Sequence, residues 1–143
     1  MALERDLRLG NWIDLGKPAT QIRFTVFVHE QGVPAELELD ELDAVCVHAL
    51  ITVGDQPVAT GRLCPDGRIG RMAVVKEFRG QGLGAEILQT LISAATARGQ
   101  SETYLHAQTQ ALGFYKRYGF VAEGPEFQEA GILHRAMRRF NQS

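Results

Sequence analysis

The sequence is short of most residues that would announce a purpose. Only two cysteines are present, Cys46 and Cys64, too few for the disulfide framework of a small secreted protein. Both fall inside apolar, β-like runs, so buried thiols are expected rather than a disulfide or metal ligands. No cysteine and histidine spacing matches a structural zinc module. His29-Glu30 lacks the second histidine four residues on that a zinc-protease helix carries, so no metal is expected. The net charge is only -2 and the sequence pI is near 6.1, which argues against nucleic acid or an anionic membrane surface as a partner. There is no long uncharged apolar run and no basic-then-apolar leader, so no membrane span is expected and the cytoplasm is the expected compartment. Repeats, low-complexity tracts and linkers are missing too, so residues 1–143 are expected to form one domain. What remains, 45% hydrophobic and 22% charged, is the composition of an ordinary globular protein.

What is present has clear periodicity. Residues 5–9 alternate as a short first strand. Pro18 near Thr20 reads as a helix start, and the apolar run from Ile22 to Val28 continues that helix until Gly32 ends it. Residues 34–44 carry Glu36, Glu38, Asp40, Glu41 and Asp43 and read as a solvated loop or short helix. Strands over 45–53, 58–64 and 68–75 follow, separated by the turns Gly54-Asp55-Gln56-Pro57 and Pro65-Asp66-Gly67. From Gly82 to Arg98, Leu83, Ile87, Leu88, Leu91, Ile92 and Ala95 recur with helical spacing, and Gly99 stops the helix. A strand over 102–107, a helix over 109–118 and strands over 120–122 and 132–139 complete the chain. The order predicts an α+β fold, one mostly antiparallel central sheet with helices on both faces.

The most informative stretch joins the third of these strands to the long helix: Arg79-Gly80-Gln81-Gly82-Leu83-Gly84-Ala85. Glycines at alternate positions strip side chains from a turn, so that main-chain N–H groups converge where the helix N-terminus places its partial positive charge. That is a cradle for a phosphate-bearing ligand. It is not a Walker-type loop, because no Gly-Lys-Ser/Thr follows. Gly80-x-Gly82-x-x-Ala85 matches the letters of the dinucleotide fingerprint. However, Val75 lies several residues ahead of Gly80, and the next strand ends Leu105-His106-Ala107-Gln108 with no acid for a ribose, which disfavours an oxidoreductase.

Arg79-x-x-Gly82-x-Gly84, preceded by Met72-Ala73-Val74-Val75, resembles the loop motif of the GCN5-related N-acetyltransferases, the GNAT family. A second block, Ala111-Leu112-Gly113-Phe114-Tyr115-Lys116-Arg117-Tyr118-Gly119-Phe120, is similar to that family's Ala-x-x-Phe-Tyr-x-x-x-Gly-Phe. Arg23 to Gln31 and the tail Glu129-Ala130-Gly131-Ile132-Leu133-His134 resemble the ElaA/YjcF-like branch. The resemblance implies acetyl-CoA as co-substrate, an amine as acceptor, and often a homodimer. It implies that Arg79, Gly80, Gln81, Gly82, Leu83, Gly84 and Ala85 hold the pyrophosphate. It further implies that Met72, Ala73 and Val74 pair with the pantetheine arm where a bulge splays two strands, and that an N–H there faces the thioester oxygen. Many members place Asn where this chain has Gln108, which offers the same hydrogen bonds with a longer reach.

By periodicity Tyr115 is a core aromatic; the resemblance makes it the general acid that protonates the leaving thiolate. An alkyl ammonium costs about 4–5 kcal/mol to deprotonate at neutral pH, so a base is expected too. Glu30, His106, Glu129 and His134 are the candidates. The acidic run 36–43 is a further candidate, for attracting a cationic acceptor. The expected activity is N-acetyl transfer by direct attack in a ternary complex. The alternative is a non-catalytic acyl-CoA-binding regulatory module on the same fold.

Overall fold

A computed structural model describes residues 4–141, so the domain expected over 1–143 is seen within those limits. Among the described residues, seven strands form two antiparallel ladders. The first runs in the order β1 (Arg5–Gly10), β2 (Val47–Val53), β3 (Gln56–Leu63), β4 (Ile69–Val74). The second places β7 (Ile132–Phe140) between β5 (Glu102–Gln108) and β6 (Val121–Glu129). The two halves touch at a parallel bridge between Arg68 and Tyr104. Beyond it, among the described residues, no ladder joins β4 to β5, and a cleft opens between them.

Strand β3 is buried without alternation from Val58 to Leu63, as it must be with helices packed against it from both sides. One is α1 (Trp12–Arg23), with Leu15, Ala19 and Ile22 essentially inaccessible. The other is α3 (Leu83–Ala97), which buries Leu83, Ile87, Leu88, Leu91 and Ala95. Each large side chain buried this way contributes about 1.5–3 kcal/mol. Gly61 makes the close approach of α3 possible. A Cβ there would meet Ile87 Cγ2 at 2.8 Å and Leu91 Cδ1 and Met72 Cγ at 3.0 Å.

Helix α1 starts earlier than the expected Pro18. Asn11 caps it, its side chain accepting from the Asp14 N–H at 2.9 Å, and Pro18 lies inside the helix. The hydrogen bond lost at Pro18 is outweighed by the buried stripe on either side of it. The helix continues as a π-helical stretch over Phe24–Glu30, rich in β-branched residues, and Gly32 ends it at φ +76°.

Opposite Gly61 the β3–β4 register slips. Thr60 faces Ala73 and Arg62 faces Gly70, so Arg71 and Met72 together oppose one residue. This bulge holds Arg71 at φ +51°, in the left-handed region. Its side chain reaches back to the acidic run, donating through Nε to the Glu38 carbonyl at 3.2 Å and through Nη2 to Asp40 Oδ2 at 3.1 Å.

Of the two readings of that run, the short helix holds and the solvated loop does not. The run folds as α2 (Ala35–Glu38) and a 3-10 turn (Glu41–Ala44), with Glu38 and Asp43 buried. Arg23, itself 1% exposed, pairs with Glu38 and binds both oxygens of Asp43 at 2.8 and 3.1 Å. Arg62 spans Asp40 and Asp43 at 2.7 and 2.8 Å. Hydrogen bonding to Arg62 holds the Asp40 carboxyl down at about 2. Burial works against the charged form of Asp43, but Arg23 and Arg62 outweigh it and lower its pKa as well. Both shifts are depressions, so the stability they bring is complete above the ordinary value of 3.8 and drains away as pH falls, for Asp40 toward about 2. Melting temperature should therefore drop steeply between about pH 4 and pH 2. An Asp40→Asn variant should start lower at pH 5 and fall less across that interval, as a pH series of thermal melts would record.

The cysteines also depart from expectation, for Cys46 and Cys64 are joined in a disulfide. The pairing of Val47 with Leu63 sets the residues just outside that pair side by side. The ladder register creates this neighbourhood between positions 18 residues apart.

Candidate active site

The glycine loop enters α3 from a short 3-10 turn over Lys76–Phe78. Gly80 and Gly82 take φ +79° and +80°, and a Cβ on either would point into open space. Two left-handed residues one apart turn successive N–H groups outward. None of the N–H groups of residues 80 to 85 donates to an acceptor among the described residues; the first helical bond at this end comes from the Glu86 N–H to the Gly82 carbonyl. Free donors at a helix start bind anions.

The cleft beside this loop has a volume of about 770 Å³. One wall is β4 from Ile69 to Val74, with its outer edge unpaired by β5. The other wall draws on the ends of β5 and β7 and on Tyr115 of α4 (Leu112–Lys116). The Tyr115 ring is wedged between Phe114 and Phe120, with centroids 5.0 and 6.0 Å away. Among the described residues its hydroxyl meets only the Met72 thioether, at 3.8 Å, a weak acceptor. Burial pushes the Tyr115 phenol up to about 12, so it keeps its proton.

Three of the four candidate bases converge at the far end of the cleft. His106 of β5 sits with Nδ1 3.0 Å from Glu129 Oε1, and His134 of β7 has Nε2 3.8 Å from Glu129 Oε2. Phe127 packs against both imidazoles. The His134 tautomer is set locally: Nδ1–H donates to the Ile132 carbonyl at 2.7 Å, leaving the Nε2 lone pair toward the cleft. Burial opposes ionisation of Glu129, but its hydrogen bond from His106 and the charge of Arg68 prevail, and its carboxyl lies below the ordinary value.

The comparisons decide the family. A family model described as the acetyltransferase (GNAT) domain matches residues 17–139. The chain belongs to the GNAT acetyltransferase family. The uncharacterized N-acetyltransferase YjcF of Bacillus subtilis is 42% identical over 127 residues, covering 86% of this chain and 91% of that one. ElaA of Escherichia coli is 30% identical over 127 residues, covering 83% of each, and its crystal structure superposes at a TM-score of 0.86 over 94% of this chain and 99% of that one. An acyl-CoA N-acyltransferase from Pseudomonas aeruginosa, 34% identical, superposes at 0.85 over 95% of this chain and 99% of that one. The ElaA/YjcF-like branch is thereby shown, as is the α+β GNAT fold.

Against this GNAT frame, two of the sequence-predicted residues are occupied with each other. Glu30 receives both ends of the Arg79 fork, at 2.6 and 2.7 Å, while Arg79 Nε donates to the Val74 carbonyl at 2.9 Å. The Arg79 hydrogen bond holds the Glu30 carboxyl ionised and low. Gln108 donates to Gln31 Oε1 at 2.9 Å, linking the end of β5 to the end of the π-helical stretch. Arg68 and Arg71 were not among the sequence-predicted residues. Both line the cleft, and only the strand bridge and the bulge bring them there. Among the described residues, no group of three or more His, Cys, Asp or Glu is arranged to hold a metal ion, and no helix is long and apolar enough to cross a membrane.

Proposed function

We propose that this GNAT protein is an acyl-CoA-dependent N-acyltransferase that moves an acetyl group from acetyl-CoA to a primary amine, by direct attack while both are bound. The observation that carries the reading is the run of unengaged N–H groups from residue 80 to 85 at the start of α3. A pyrophosphate fits such a set of donors, and with Arg79 committed to Glu30 the main chain is the anion receptor. The peptide-like pantetheine arm suits the unpaired edge of β4 at Met72, Ala73 and Val74, as an added strand would. An edge N–H in this stretch is the natural donor to the thioester oxygen as negative charge develops there.

The remaining chemistry falls to side chains. The amine nitrogen forms a bond to the acyl carbon as the bond to sulfur breaks. The amine proton passes to the cluster of His106, Glu129 and His134, with the His134 Nε2 lone pair as its receiver. The departing sulfur takes a proton from Tyr115, which would lie across the cleft from β4.

Calorimetric titration with acetyl-CoA, coupled to a free-thiol assay over an amine panel, tests the proposal. Micromolar-range binding and amine-dependent thiol release are expected. Binding without release from any amine would leave a regulatory module instead. The loop has its own test. Gly82→Ala forces an L-residue into the left-handed region at a cost of about 1–2 kcal/mol, so the acetyl-CoA Kd should rise about tenfold in the same titration.

A further inference from the structure

Resting on that reading, we infer that the acceptor is a small amine that also carries a carboxylate a few bonds from its nitrogen, an amino acid or a close analogue. The argument begins with what the cleft's charges are already doing. Arg23, Arg62 and Arg71 bind Glu38, Asp40 and Asp43, and Arg79 binds Glu30. The carboxylates of the acidic run that face the cleft, Glu38 and Asp40, are therefore already paired, and Glu36 and Glu41 do not line it.

Two features at the far end remain open. The first is a pair of acceptors facing each other. Glu129 Oε2 and His134 Nε2 stand 3.8 Å apart with no hydrogen bond between them, because the His134 ring proton sits on Nδ1 against Ile132. A single ammonium between them can donate to both within ordinary hydrogen-bond distance.

The second is Arg68. Its Nη2 lies 3.0 Å from His106 Nδ1 and 3.5 Å from Glu129 Oε1. The same His106 nitrogen is 3.0 Å from Glu129 Oε1, and one ring nitrogen cannot donate to Glu129 and accept from Arg68 at once. With the proton shared to Glu129, Arg68 Nη2 keeps only its 3.5 Å ion pair with Glu129 Oε1. Its Nε and Nη1 make no hydrogen bond among the described residues. Arg68 thus presents a guanidinium fork, the geometry that grips a carboxylate in two places, next to the ammonium seat. A neutral amine, a protein lysine or a peptide N-terminus would leave that fork unanswered; an amino acid fills both.

The test compares, for each of the twenty protein α-amino acids, β-alanine and γ-aminobutyrate, the free acid with its carboxamide and with its decarboxylated amine. Spermidine stands for polycations. Thiol release from acetyl-CoA is one readout, and calorimetric binding of the same compounds to protein saturated with CoA is the other. The expected result is at least one free acid favoured about ten- to hundredfold over its carboxamide in kcat/KM and in Kd, the effect of one charge-assisted contact. Arg68→Gln should erase that preference by raising KM with little change in kcat. Equal or better use of the carboxamides, the simple amines or spermidine overturns the inference while leaving acyl transfer intact. Absence of thiol release with every compound overturns the transfer reading and this inference with it. If Arg68→Gln proves unstable, the acid-to-carboxamide ratio of the unaltered protein still decides.

Discussion

Tyr115→Phe should slow acyl transfer by about 10²–10⁴-fold, the span over which positioned proton donors contribute. The loss belongs in kcat. The ring keeps its contacts with Phe114 and Phe120, and among the described residues the only partner deprived of a hydroxyl is the Met72 thioether. No strong buried acceptor is orphaned, so the melting temperature should stay within a few degrees of the parent. Affinity for acetyl-CoA, which the proposed function assigns to the loop at residues 80 to 85, should change less than about twofold, well under the 1.4 kcal/mol of a tenfold effect. Steady-state thiol release and calorimetry on one preparation measure both quantities. A kcat unchanged in Tyr115→Phe would remove this side chain from the chemistry. The phenol holds its proton because burial raises it to about 12, so in the proposed role it would stay protonated throughout the neutral range.

Asp43→Ala should be the most damaging single change to the fold away from the apolar core. Asp43 accepts from Arg23 at 2.8 and 3.1 Å and from Arg62 at 2.8 Å, and all three side chains are about as buried as core leucines. Removing the carboxylate leaves two buried guanidiniums with one carboxylate partner each, Glu38 for Arg23 and Asp40 for Arg62, where each had two. Breaking a buried ion pair from one side costs about 3–5 kcal/mol, or roughly 10 °C in a domain of this size. The half-exposed pair of Arg5 and Glu86, 3.1 Å apart, supplies the contrast: Glu86→Ala should cost no more than about 1 kcal/mol. Thermal and urea melts of the two variants would separate these outcomes, and equal losses would mean that the network carries little stability.

Asp43 also illustrates where reading the sequence runs out. Strands and helices with a buried stripe were legible, since period and turn residues are local properties; α3 and the β2–β3 hairpin lie within a residue or two of expectation. The glycine loop was legible as a turn into a helix for the same reason. The acidic run was not, because its meaning depends on Arg23, Arg62 and Arg71, which three separate elements deliver to it. Strand β6 was seen only at its start. Its outer residues include Gly124 and Pro125, show no alternation and lie exposed at an edge, where a proline is tolerated. The true start of α1 was hidden because Pro18 outweighed a cap at Asn11 that is just as local. The convergence of His106, Glu129 and His134 requires three strands in register, and no spacing in the chain foretells it.

The bulge at Arg71 makes the two walls of the cleft unequal in their freedom to evolve. On the β4 side, the residue that bends the strand is also tied to the buried ion network, and Gly61 opposite it is pressed by α3. Remodelling that wall for a new acceptor would disturb the foundation of the domain at the same time. The β5–β7–β6 side stands on a separate ladder that ends in a solvent-exposed margin. Descendants of this architecture can therefore reshape one bank of the cleft while the opposite bank is held still by the requirement to fold.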